Sequence, residues 1–170
     1  TIGKYWASGL SNLTSVTFPS GALTIGECAF GHTGISGSRS FTGCTIGKEA
    51  FAETKLTSVT LTNCTTGSEA FAKTSLTSAT ISGGQFEPDA FWGCGSLATL
   101  TLSGVVVPEN SIFSGLKTLN INSGGSTIID PRAFVNSPSL KTITIADAAS
   151  VTVYQDAFQG LSGITSLTLG

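Results

Sequence analysis

The apolar positions of this chain fall into two short phrases that alternate from end to end. The first is an Ala-Phe pair set a few residues after an Ile-Gly corner, as in Thr45-Ile46-Gly47-Lys48-Glu49-Ala50-Phe51. It recurs at Ala29-Phe30, Ala70-Phe71, Ala90-Phe91, Ala133-Phe134 and Ala157-Phe158. Ser111-Ile112 stands in the gap after Ala90-Phe91, and Tyr5-Trp6-Ala7 takes the same place in the first unit. The second phrase has the form Leu-x-x-Val-x-Leu. It appears as Leu13-Val16-Phe18, Leu56-Val59-Leu61, Leu76-Ala79-Ile81, Leu97-Leu100-Leu102, Leu116-Leu119-Ile121, Leu140-Ile143-Ile145 and Ile164-Leu167-Leu169. A period of roughly 20 to 24 residues marks a stack of repeats.

The last three positions of the second phrase alternate apolar, polar, apolar, which predicts a short strand with one buried face. The Val and Thr that fill it suit a strand. The Ile-Gly-x-x-Ala-Phe segment is too short for a full helix. It predicts a turn with a short helical or 3₁₀ piece on the outer side. One unit cannot bury its own apolar face, whereas stacked units can, with Phe on Phe and Leu on Leu. The strands then form a parallel sheet with rungs about 4.8 Å apart. A wider opposite wall would curve the stack and put the strands on its concave side. The second unit departs from the pattern: Ile35 is followed by Ser36-Gly37-Ser38-Arg39-Ser40-Phe41, with Ser where Val and Leu are expected. A strained, slipped or bulged strand is predicted there.

Composition sharpens this reading. The 25 threonines, 23 serines and 21 glycines could suggest disorder, but 40% of residues are apolar and recur at fixed spacing, so a packed core is predicted. Eight basic against ten acidic residues leave no positive surplus for a phosphate backbone, which argues against nucleic-acid binding. No apolar run approaches the ~20 residues of a membrane helix. Thr1-Ile2-Gly3 does not open a signal peptide, and the chain contains no Met. Residues 1–170 read as a single solenoid of about eight repeats, a segment of a longer chain.

The combined pattern Ile-Gly-x-x-Ala-Phe-x-x-x-x-Leu-x-x-Val-x-Leu resembles the BspA-like class of leucine-rich repeats, found in surface proteins of bacteria and some protists. The resemblance implies an α/β solenoid, a right-handed stack with a concave parallel β-sheet and short 3₁₀ or turn segments on the convex side. It also implies a cell-surface or secreted module adhering to host, matrix or other cell-surface macromolecules. The Asn that many leucine-rich repeats carry after the strand is replaced here by Gly21, Cys64, Gly84, Val105, Gly124 and Ala148, which fits this class. The post-strand Pro frequent in the class appears only at Pro19.

Residues with chemical potential are sparse. A nucleophilic triad would have to use the single histidine, His32, which sits in the corner Gly31-His32-Thr33-Gly34. Cys28 lies four residues before it, but two ligands do not make a zinc site. Cys44 and Cys64 hold equivalent inward slots on adjacent rungs, about 5 Å apart, within disulfide range. They are a possible bridge or two buried thiols. Cys94 reads as core filler. Glu49, Glu69, Asp89 and Asp156 flank the Ala-Phe pairs and are expected to favour the N-end of a short helical turn. Lys4, Glu27 and Lys48 share one column, and Glu53 and Lys73 another, as solvated rungs. Trp92 replaces the Ala of sister units and is either an exposed anchor or packed on a neighbouring coil. Asn12 and Asn63 begin N-glycosylation patterns. No catalytic residue, metal or cofactor is expected, and the chain does not read as an enzyme.

The candidate working surface is the set of outward strand positions: Ser15 and Thr17, Ser58 and Thr60, Ser78 and Thr80, Thr99 and Thr101, Thr118 and Asn120, Thr142 and Thr144, then Ser166 and Thr168. These form two columns of hydroxyls with no aromatic, Arg or acidic residue among them. They offer a ligand strip for a protein or glycan; alternatively, Ser and Thr merely suit an exposed strand. A structural or ice-binding solenoid, using the Thr and Ser columns as a lattice match, is the second reading. Ends without polar caps point to possible end-to-end self-association.

Overall fold

A computed structural model describes residues 1–147 and 149–170; Ala148, one of the post-strand residues named above, lies outside the described residues. Its strands follow in chain order as β1 (Thr24–Ile25), β2 (Ser36–Thr42), β3 (Thr45–Ile46), β4 (Lys55–Thr62), β5 (Thr65–Thr66), β6 (Ser78–Ser82) and β7 (Gln85–Phe86). They continue as β8 (Thr99–Ser103), β9 (Val106–Val107), β10 (Thr118–Ile121), β11 (Ser126–Ile129), β12 (Thr142–Ile145), β13 (Ser150–Val153) and β14 (Ser166–Leu169). The longer strands β2, β4, β6, β8, β10, β12 and β14 line up in that order as one seven-stranded parallel sheet. Each coil then turns a corner and adds a rung to a second wall. There β1, β3, β5 and β7 form one parallel sheet, and β9, β11 and β13 another.

The buried columns follow the repeat. Val59, Ala79, Leu100, Leu119 and Ile143 pair in register across the main sheet, and so do Leu61, Ile81, Leu102, Ile121 and Ile145. Behind them runs a ladder of rings. Phe30, Phe51, Phe71 and Phe91 stack with centroids 5.4, 5.5 and 5.6 Å apart. Phe113, Phe134 and Phe158 continue it at 6.1, 5.7 and 5.2 Å. The fifth ring is therefore Phe113, one residue beyond the Ser111-Ile112 pair assigned from sequence. In the first coil Ala7 stands in the ring's place, since its N–H bonds the Ala29 carbonyl as that of Phe30 bonds Ala50. Trp6 and Phe18 meet Phe30 edge-on at 5.8 and 5.3 Å and close that end of the ladder.

The outer wall corrects the expected α/β class. It contains turns but no helix or 3₁₀ segment among the described residues. In a helix the N–H groups would bond within their own coil. Here alternate ones reach the next coil, while those between them, such as Ala29, Gly31, Ala50 and Ala52, bond back three residues within their own turn. Cys28, Phe30 and His32 donate to Lys48, Ala50 and Ala52; Glu49, Phe51 and Glu53 donate to Ser68, Ala70 and Ala72; Phe71 and Lys73 donate to Ala90 and Trp92, all at 2.8–3.0 Å. The backbone achieves this by placing Cys28, Glu49, Glu69, His32, Glu53 and Lys73 in the left-handed region, at φ of 51° to 57°. Both walls of these coils are thus held at hydrogen-bonding pitch.

Two local departures matter for the surface. Seven of the roughly eight expected units contribute a strand to the main sheet. Leu13–Phe18 does not, and β2 is the sheet's edge. The irregularity expected in the second unit is present. Gly37 pairs Leu56 while Ser38 pairs Ser58, leaving Thr57 opposite neither, and Gly37 itself has φ +77°. The slip brings Phe41 opposite Leu61, into the core, and Arg39 opposite Val59.

Candidate functional site

The outward columns form as the alternation predicts, and the register fixes them rung by rung. One runs Ser38, Ser58, Ser78, Thr99, Thr118, Thr142, Ser166; the other runs Ser40, Thr60, Thr80, Thr101, Asn120, Thr144, Thr168. Most of these side chains are half-buried by their neighbours; Ser38, Ser40, Thr60, Ser166 and Thr168 are exposed. Ser58 Oγ donates to Ser38 Oγ at 2.6 Å, so one end of the strip is tied sideways. Among the described residues the hydroxyls of Thr60, Thr80, Thr101 and Thr144 have no protein partner, which leaves their donors and acceptors facing outward.

The structure places Ser15 and Thr17 off the sheet, because their segment makes no ladder with β2. Ser38 and Ser40, on the second unit's strand β2, form the edge rung of the strip. Sequence reading passed over them because the slip at Gly37 shifts them out of the repeat frame. Two further columns were also missed. Thr42, Thr62, Ser82 and Ser103 extend the strip by one residue, with Ser103 Oγ 3.2 Å from Ser82 Oγ. Thr24, Thr45, Thr65 and Gln85 form an exposed column on the second wall. Strands of two residues are too short for an alternation to register.

The remaining candidates resolve into local contacts. Cys44 and Cys64 are free buried thiols and not a bridge in this structure. Cys44 Sγ lies 3.5 Å from the Thr42 carbonyl oxygen, and Cys64 Sγ lies 3.4 Å from that of Phe41. Burial pushes the Cys64 and Cys94 thiols up from their ordinary pKa. His32 does not face Cys28: its Nδ1 is 3.1 Å from Glu53 Oε2, while Cys28 Sγ points to Glu49 Oε2 at 3.7 Å. No group of three metal-ligating side chains assembles among the described residues.

Lys4 and Glu27 pair at 2.9 Å; the hydrogen bond from Lys4 holds the Glu27 carboxyl low, and the same contact raises Lys4. Lys48 turns to Glu49 at 3.3 Å. Lys73 reaches Glu53 at 3.2 Å, and that hydrogen bond holds the Glu53 carboxyl low. Because the turns hold no helix, Glu49 and Glu69 have no helix N-end to serve, contrary to expectation. Asn12 and Asn63 are both exposed, the latter at φ 51°. No helix among the described residues is long and apolar enough to cross a membrane.

At the end of the stack beyond β12 lies a cavity of about 300 Å³ with an entirely apolar lining that includes Ile143, Ile145, Phe158, Leu167 and Leu169. The last two are exposed. Among the described residues β14 is the terminal strand of the main sheet.

A family model described as the BspA type leucine rich repeat region matches the chain in six copies, over residues 1–98 and 44–167. No curated protein and no solved structure matches it. The aligned rings, the in-register strands and this match agree: the chain belongs to the BspA-type leucine-rich repeat family.

Proposed function

We propose that this chain is a non-enzymatic binding module of a cell-surface or secreted protein, and that its main-sheet face engages a protein or glycan on another cell or matrix. The carrying observation is the pair of in-register hydroxyl columns from Ser38 and Ser40 to Ser166 and Thr168. The strip lacks Trp, Tyr and Arg, the usual anchors of a tight interface, so single-site affinity is modest and strength comes from the number of rungs. The test is to replace Thr60, Thr80, Thr101 and Thr144 with Lys. Binding to cell-surface and matrix ligands is expected to fall; unchanged binding to all of them removes the strip as the site.

A structural or ice-binding solenoid is the second reading. The in-register spacing of Thr and Ser from rung to rung is what supports it. Thermal hysteresis that the same four substitutions abolish supports this reading; none at millimolar protein rejects it.

A further inference from the structure

On the turn wall, away from the hydroxyl strip, one coil breaks the pattern of its neighbours. The slot after the stacked Phe holds buried Ala52 and Ala72 in two successive coils and then Trp92, which is 41% exposed. A large aromatic here adds nothing to the ring ladder, which Phe91 already completes. Instead the indole borders a cavity of about 250 Å³ whose other lining residues are Glu69, Asp89 and Ile112. Asp89 is oriented by the Ser68 hydroxyl, which donates to its Oδ2 at 2.9 Å. Neither Glu69 nor Asp89 has an ion-pair partner among the described residues, whereas Glu27, Glu49 and Glu53 all do.

The indole already receives a cation. Lys73 Nζ lies 5.2 Å from its ring centroid, within the range at which an ammonium is drawn to an aromatic face. Two carboxylates without an ion-pair partner among the described residues, an indole and one aliphatic side chain therefore line the same hollow. The volume is below the ~300 Å³ at which pockets for drug-sized molecules begin, so it suits one side chain. We propose that this hollow is a second binding site, for the alkylammonium group of a lysine side chain presented by a partner protein. The ammonium lies between Glu69 and Asp89 with its methylenes on Trp92 and Ile112.

The site is tested by titrating the intact chain with Nα-acetyl-lysine methylamide while following the indole N–H resonances of Trp6 and Trp92 by NMR. The neutral isostere Nα-acetyl-norleucine methylamide serves as control. A saturable shift of the Trp92 resonance with the lysine compound, at least fivefold weaker with the norleucine compound and weakened by salt, is expected. Glu69→Gln with Asp89→Asn should weaken it at least fivefold. Trp92→Ala, followed on the Ile112 methyl, should abolish it without unfolding the chain, because sister coils carry Ala in this slot. Equal response to both compounds, no saturable response up to 50 mM (roughly the weak limit for one charged contact), or binding unaffected by the amide variants overturns the proposal.

Discussion

The hydroxyl of Thr54 donates to the carbonyl oxygen of Phe51 across 2.9 Å, inside the turn that carries the stacked ring. Thr33 and Thr74 do the same to Phe30 and Phe71 at 2.8 and 2.9 Å. All three threonines are buried. Replacing Thr54 with Val keeps the shape and deletes the bond. The loss expected in urea denaturation is about 1 kcal/mol. Cys94 occupies the next rung, with Sγ 3.0 Å from the Phe71 carbonyl oxygen. Cys94→Thr is therefore expected to leave stability within about 0.5 kcal/mol of the parent.

The ring ladder should be least tolerant in its middle. Phe71 is fully buried between rings on both sides, whereas Phe158 is half-buried and ends the stack. Phe71→Ala is expected to cost about 3–5 kcal/mol, the range for emptying a packed aromatic site. Phe158→Ala should cost clearly less. Equal losses in paired denaturation curves would mean that the rings do not act as a ladder.

The residue two places after the ring is left-handed in five successive coils: Gly9, His32, Glu53, Lys73 and Gly93, with φ of 78°, 57°, 57°, 54° and 73°. A side chain there carries steric strain that Gly avoids. His32→Gly is thus expected to stabilise the chain by about 1 kcal/mol. Its contact with Glu53 is exposed and offsets little of that gain. Thermal unfolding checks the sign.

Thiol chemistry follows burial. Unfolded, unreduced chain should titrate four thiols with Ellman's reagent; two would establish the Cys44–Cys64 bridge. In the folded chain Cys28, the least buried of the four, should react first. The Cys64 and Cys94 thiols are raised on folding, so their contribution to stability is whole below the ordinary thiol value, about 8.5, and is lost as pH rises through their folded values. Glu27 and Glu53 act at the other end. Their folded values are lowered, so their contribution is present above about pH 4.3 and fades as pH falls through the folded values. Both pairs are exposed, so added salt should shrink the acid effect more than the alkaline one.

Much of this architecture is legible in the residues. Ala-Phe spacing locates six of the seven stacked rings, and Leu-x-x-Val-x-Leu locates the longer strands because burial on one face enforces period two. The Phe113 ring escaped because its coil shortens the path from ring to strand, with Leu116 only three residues on. The turn wall was misread because a few residues between Gly and Phe suit a short helical turn as well as they suit a left-handed bend. What decides is bonding to the next coil, and local sequence does not carry that partner. Ser15 and Thr17 match the repeat pattern perfectly yet join no ladder, since pairing depends on β2, whose slip at Gly37 disturbs its edge. Trp92 was visible as an oddity, but the carboxylates beside it come from two coils and meet only once the stack is built.

The equal registry of consecutive coils makes the number of coils an independent variable. Thr45 and Ile46 sit opposite Thr65 and Thr66, so excising residues 46–65 would join Thr45 to Thr66 at a matching point on the corner. Such a shortened molecule should keep its cross-section and lose one layer of reach, as a shelf loses a plank. A lineage can therefore tune the span of the contact face by copying or dropping whole layers, leaving the chemistry of each remaining layer as it was.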